Sequence, residues 1–157
     1  MEAKWKNMIE VLIPPDKVPL LNRSIEQGFV TASLPSDGYI AGVEVFHHLH
    51  CLNVLRQYIW RDSYPEGLVP SLLKFNSPAV ALEHTDHCIE TLRQALMCSA
   101  DVTPYLLYET EPAPGSDVPA REDFQAFHKC RKFDVLLDWV KENGVVVPPW
   151  LESKTPA

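Results

Sequence analysis

Apolar positions recur at three- and four-residue steps in three places along this chain, and each reads as an amphipathic helix. From about Gly42 to Arg61 the recurring positions are Val45, Leu49, Leu52, Leu55 and Ile59, and Tyr64-Pro65-Glu66-Gly67 stops the run. A second run follows Ser77-Pro78, a capping residue with proline at the first helical position. It continues to about Cys98, with Leu82, Ile89, Leu92 and Leu96 as its apolar members. A third, from about Arg121 to Asn143, carries Phe124, Phe127, Phe133, Leu137 and Val140, and Gly144 supplies a natural C-terminal cap. Ahead of these the pattern is weaker. Trp5, Ile9, Leu12 and Ile13 fit one short amphipathic turn of helix, ended by Pro14-Pro15, and Leu20 to Gly38 reads as loop. Pro104 to Pro119 is a second loop around Gly115, and Val145-Val146-Val147 reads as a short strand or extended tail. No stretch shows sustained strand alternation or heptads. The expected fold is mainly α, a compact helical domain with long loops. An N-terminal arm occupies residues 1–40 and a single helical domain residues 41–157.

The first two helical segments contain a repeat. His47-His48-Leu49-His50-Cys51-Leu52-Asn53-Val54-Leu55-Arg56-Gln57 aligns with His84-Thr85-Asp86-His87-Cys88-Ile89-Glu90-Thr91-Leu92-Arg93-Gln94, at a constant offset of 37 residues from His47 to His84. Both copies read H-x-x-H-C, an apolar residue, then x-x-L-R-Q. Positions i, i+3 and i+4 of a helix share a face, so His47, His50 and Cys51 converge, as do His84, His87 and Cys88. Antiparallel packing through these faces would bring four imidazoles and two sulfurs into one small volume. Imidazole suits zinc, copper, iron and nickel, and thiolate favours zinc or cuprous copper.

Blander readings compete. A core histidine satisfied by hydrogen bonds is the default for a single residue, but not for two matched His-x-x-His pairs. A structural zinc site closed by His47, Cys51, His84 and Cys88 leaves the repetition of His50 and His87 unexplained. Glu44, Glu83, Asp86 and Asp101 stand near the histidines in sequence and are candidates to orient them, since a ligating imidazole usually donates its other N–H to a carboxylate. His128, in His128-Lys129-Cys130-Arg131, is a further candidate ligand or acid–base group. Arg56 and Arg93 are expected to form ion pairs that hold the helices together. For Cys98 and Cys130 the choice lies between two buried apolar thiols and a disulfide tying the second helix to the third, and the disulfide is the expectation. Cys51 and Cys88 are either ligands or partners to one another.

Composition narrows the function classes. A 157-residue chain, 46% hydrophobic and 22% charged, has the length and balance of one folded domain. Its formal charge of −7 argues against a nucleic-acid partner, which demands a basic face. No apolar run approaches the ~20 residues that span a bilayer, and the start does not read as a secretory signal. Asn22-Arg23-Ser24 is an N-glycosylation sequon, meaningful only in a lumenal or secreted setting.

Three blocks together resemble the UstYa-like family of fungal proteins, found in biosynthetic clusters for cyclic peptides and other mycotoxins. They are Val43-Glu44-Val45-Phe46-His47-His48-Leu49-His50-Cys51-Leu52, then His84-Thr85-Asp86-His87-Cys88 continuing to Asp101, and His128-Lys129-Cys130-Arg131-Lys132-Phe133-Asp134 followed by Trp139. The resemblance spans about residues 38–140 and rests chiefly on the doubled HxxHC. It implies oxidative tailoring of a peptide or small-molecule substrate by cyclisation, hydroxylation or desaturation, with copper as cofactor. Zinc, iron or no metal are the alternatives. It places catalytic metal ligation on His47, His50, His84 and His87. It also implies a lumenal setting reached through a membrane anchor that this chain does not carry, so a cytosolic location stays open. A homo- or heterodimer with another family member is a further expectation. The rival functions are a metal-independent cyclase or isomerase using the histidines as acids and bases, and a non-catalytic metal-stapled module.

Overall fold

A serine and a proline decide where the longest helix begins. In the computed structural model, which describes residues 9–32, 38–65, 67–75, 77–112, 114–115 and 118–145, Ser77 is extended and its Oγ accepts the N–H of Val80 at 3.3 Å. Pro78 then occupies a position whose amide has no helical partner to lose. Helix α2 follows over Pro78–Ser99 and ends at Ala100, whose backbone is left-handed at φ 40°. Helix α1, Glu44–Ile59, starts without a side-chain cap, but Glu44 places a carboxylate in the first turn, where the helix dipole favours it. Helix α3 is Phe133–Asn143. Two short antiparallel ribbons complete the fold: β1 (Val11–Ile13) with β2 (Tyr39–Ala41), and β3 (Leu106–Glu109) with β4 (Ala120–Asp123). The architecture is mainly α, as the periodicity predicts.

Helix α1 is central because it buries two faces. On one, Phe46 packs with Val11 of β1 and Val140 of α3, and Ile9, Ile13, Val43, Leu49, Phe133 and Leu137 surround them. On the other, Cys51 and Val54 meet Cys88 of α2, flanked by Leu55 and Leu92. At ~1.5–3 kcal/mol for each fully buried apolar side chain, these two clusters hold α1 between α2 and the β1–α3 layer. Helix α2 by contrast buries one face. Thr85 and Cys88 point inward, while Leu82, Ile89 and Leu96, predicted as core members, are 65%, 55% and 72% exposed.

Several boundaries differ from the sequence expectation. Leu12 and Ile13 lie in a strand, not a helical turn. Proline disfavours the α conformation in the residue before it, so Pro14 keeps Ile13 extended. Gly38, at φ +109°, lets the partner strand approach so closely that a Cβ there would lie 2.7 Å from the Ile13 carbonyl oxygen. Trp5 lies outside the described residues. The predicted loop from Leu20 is partly wound into 3-10 turns over Pro15–Leu21 and Ile25–Gln27. The third helix starts twelve residues later than predicted, at Phe133 rather than Arg121. Arg121 belongs to β4, and Asp123 accepts the N–H of Gln125 at 3.0 Å, a turn that competes with helix formation. Phe124 and Phe127, spaced as helix core, are exposed.

Gly144 is extended rather than left-handed. Its value is room: a Cβ there would collide with Ile9 and with the Val140 carbonyl oxygen, the latter at 2.8 Å. That closeness lets Val145 donate its N–H to the Glu10 carbonyl at 2.9 Å. Val146 and Val147 lie outside the described residues. No helix among those described is long and apolar enough to cross a membrane.

Candidate metal centre

The repeat and the packing of α1 on α2 together generate near-symmetry. His47 stacks on His87 with ring centroids 5.5 Å apart, and His50 faces His84 at 6.0 Å. Advancing three residues along one helix retreats three along the other, so the helices are antiparallel. Exchanging the two motif copies turns each of these pairs into the other, which defines an approximate two-fold axis between the helices. Cys51 and Cys88 exchange with each other under the same operation and, packed in one cluster, flank that axis closely. Both are fully buried. All four histidines predicted to converge do so.

The closest donor group among the described residues is His47, Cys51 and His87, whose ligating atoms all lie within 4.8 Å of one another. The closed set of His47, Cys51, His84 and Cys88 considered for structural zinc is not the one assembled. Antiparallel register sets His87, not His84, beside His47.

Surroundings break the symmetry. Glu44 Oε2 lies 3.7 Å from His47 Nδ1 and 3.4 Å from His48 Nε2, which leaves Nε2 of His47 as its other donor atom. The residue 37 positions beyond Glu44 is Ala81, so the second copy carries no carboxylate at the equivalent position. Instead His84 meets the ring of Phe75 edge-on at 5.4 Å. Opposite it, burial lowers the His50 pKa, and the neighbouring His84 and His47 lower it further. His50 is therefore held as a neutral imidazole, the form that binds metal. Burial also raises both thiols, Cys88 up to about 12. Cys51, the sulfur beside His47 and His87, is the better ligand.

The remaining predicted residues go elsewhere. Asp86 is exposed and joins none of these contacts. His128 Nδ1 pairs with Asp101 Oδ2 at 2.7 Å, and Asp101 Oδ1 accepts the Thr103 N–H at 2.9 Å. That contact lies beyond the C-terminal end of α2, roughly 18 Å past His87 by helical rise, so neither residue reaches the histidine cluster. Cys98 and Cys130, expected to be bridged, are free exposed thiols; the recorded side-chain link at this end of the molecule is the Asp101–His128 pair. Arg56 and Arg93 reach back within their own helices, Arg56 to Asn53 at 3.2 Å and Arg93 to Glu90 at 2.6 Å, rather than across to the partner helix. The repeat thus conserves a local clamp.

Two participants escaped the sequence reading. His48 is absent from the second copy, where Thr85 turns its hydroxyl back to the Ala81 carbonyl at 2.9 Å; the four-residue spacing from Glu44 was the available signal. Phe75 precedes α2 in a segment with no periodicity, and no sequence signal marks it.

A family model described as "Mycotoxin biosynthesis protein UstYa" matches residues 1–143. The chain is 37% identical over 150 residues to "UstYa family oxidase phomYc" of Diaporthe leptostromiformis, covering 92% of this chain and 56% of that one. It is 33% identical over 151 residues to "Transacylase cctO" of Talaromyces islandicus, covering 92% and 49%. With "Oxidase ustYa" of Aspergillus flavus it shares 34% identity over 103 residues, covering 66% and 41%. The chain spans about half the length of the curated relatives it matches. No solved structure matches it.

Proposed function

This chain belongs to the UstYa family, and from that premise we propose that it is an oxidase of secondary-metabolite biosynthesis that works with copper held between α1 and α2. One observation carries the reading: two imidazoles and a thiol, from two helices, present donor atoms within 4.8 Å of one another. That donor chemistry fits copper, since imidazole suits either oxidation state and sulfur favours the cuprous one. His47, His87 and Cys51 would hold the ion, with His50 and His84 completing the ring of imidazoles. Copper bound there would supply one-electron oxidation of a peptide or small-molecule substrate.

The protein's own residues prepare that chemistry. Glu44 Oε2, 3.7 Å from His47 Nδ1, would steer that ring by its charge, in the place a carboxylate takes behind a ligating imidazole. Desolvation favours the neutral form of His50, whose ring nitrogen can donate its lone pair to a metal. The rings of His47 and His87 lie at the more open edge, where His87 is exposed, so substrate approaches from that side. Val54, Leu55 and Leu92 close the opposite side with apolar surface. Metal analysis of protein purified without chelators, followed by activity after chelation and after copper return, tests the proposal. Product formation that survives complete chelation would overturn it.

A second reading draws on the relative whose printed name is a transacylase. There the neutral His50 would act as a proton acceptor in a reaction with no net redox change. The same chelation experiment separates the two, because acid–base chemistry persists without metal. A lumenal setting and pairing with a second family member belong to the same proposal. The pairing is tested by sedimentation of the chain alone and with such a partner, and the setting by whether Asn22 carries a glycan in natively produced protein.

A further inference from the structure

The two buried thiols that flank the pseudo-two-fold axis have a chemistry of their own. Cys51 and Cys88 are fully buried and pack together, from adjacent helices, in one apolar cluster. Neither is bonded to another cysteine. Two cysteines packed together across a helix interface are placed to be joined with little movement of the backbone. Only one of them, Cys51, also belongs to the donor group with His47 and His87. Any bond between the sulfurs therefore withdraws a ligand from that group.

We propose that Cys51 and Cys88 form a reversible thiol–disulfide couple, with a small-molecule disulfide such as oxidised glutathione as its oxidant, and that its state sets the donor set at the histidine cluster. The exchange balances as two displacements. The Cys51 sulfur attacks one sulfur of oxidised glutathione, forms a mixed disulfide and releases one glutathione thiol. The Cys88 sulfur then attacks Cys51, closing the protein disulfide and releasing the second glutathione. Two protein thiols are oxidised, one small disulfide is reduced, and the two thiol protons end on the two glutathione molecules. The reduced form offers two imidazoles and a sulfur; the oxidised form offers imidazoles alone. Burial makes the mixed disulfide short-lived, because Cys88 is already packed beside the residue it must attack. Passage of glutathione to Cys51 requires a transient opening of α1 from α2, so exchange is slow and the end point is the quantity to measure.

The couple stands on the sulfur geometry; its effect on the donor set rests on the metal reading proposed above, and two readouts keep them apart. The full chain carrying Cys98→Ser and Cys130→Ser, freed of metal, is equilibrated in glutathione buffers of graded ratio from both the reduced and the oxidised side. Acid quenching, alkylation and peptide mass spectrometry then count linked Cys51–Cys88. The expected result is a linked fraction that rises with the oxidised share, is the same from both sides, and vanishes in added Cys51→Ser or Cys88→Ser variants. Unlinked thiols at every ratio, or glutathione adducts that never close, overturn the couple. Cobalt(II) is then added to the fully reduced and fully oxidised forms. A thiolate-to-cobalt charge-transfer band in the reduced form only is expected. The same band in both forms overturns the ligand withdrawal, and cobalt binding in neither form defeats the metal reading while leaving the couple intact.

Discussion

The His47–His87 end of the cluster and the His50–His84 end are built from the same motif, yet they meet different surroundings. At the first, Glu44 faces His47, and both rings stand at the rim with Cys51 beneath them. At the second, Phe75 covers His84 and burial discharges His50. The comparison teaches that a sequence repeat fixes which groups converge, while the elements flanking each copy decide what those groups can do. Helix α1, buried on two faces, draws its acid from its own first turn; α2, buried on one, has Ala81 at the equivalent place.

The sharpest way to break the comparison is to remove a ring from each end. His47→Ala or His87→Ala should abolish stoichiometric copper binding while circular dichroism stays helical, because Val54, Cys51 and Cys88 still hold the helices together. His84→Ala should retain part of the metal. Equal losses at the two ends, read by elemental analysis, would show that the asymmetry has no consequence for binding.

Packing and ligation separate next. Val54→Ala, at a fully buried position shared by both ends, should cost about 2–3 kcal/mol of unfolding free energy. Denaturant melts measure this, and copper stoichiometry in the folded fraction should be unchanged. Metal loss without destabilisation would mean that Val54 positions ligands rather than helices.

Glu44→Gln should weaken copper binding roughly tenfold, the lower end of the effect of removing a partner from a ligating histidine. Ala81→Glu places in the second copy a carboxylate equivalent to Glu44 and should raise affinity several-fold. Competition titration with a chromogenic chelator reads both, and no change in either would assign the difference between the ends to burial alone.

The smallest effect is expected in pH dependence. His50 titrates below its ordinary value of 6.5 in the fold, so the unfolded chain binds a proton there more readily. Its stabilising contribution is complete above pH 6.5 and lost as the pH falls through the lowered folded value. Melting temperatures of metal-free protein should therefore decline on acidification, and less steeply in His50→Gln. Parallel curves would indicate that His50 is not desolvated.

The sequence alone determined the helical class, the start of α2 at Ser77-Pro78, and the sharing of one helix face by His47 and His50 and of another by His84 and His87. These follow from local rules: capping chemistry and the 3.6-residue turn act within a few neighbours. Tertiary structure decided the rest. It paired Leu12 and Ile13 with Tyr39 and Ile40 in a ribbon, gave residues 120–123 to a strand, and left Phe124 and Phe127 in solvent although their spacing fits a helix core. It set antiparallel register, and so chose His87 rather than His84 to stand beside His47. It packed the two repeated cysteines together in one buried cluster and carried His128 away to Asp101. Each of these outcomes depends on which surface is available to bury against, a property of the assembled chain that no local window of residues contains.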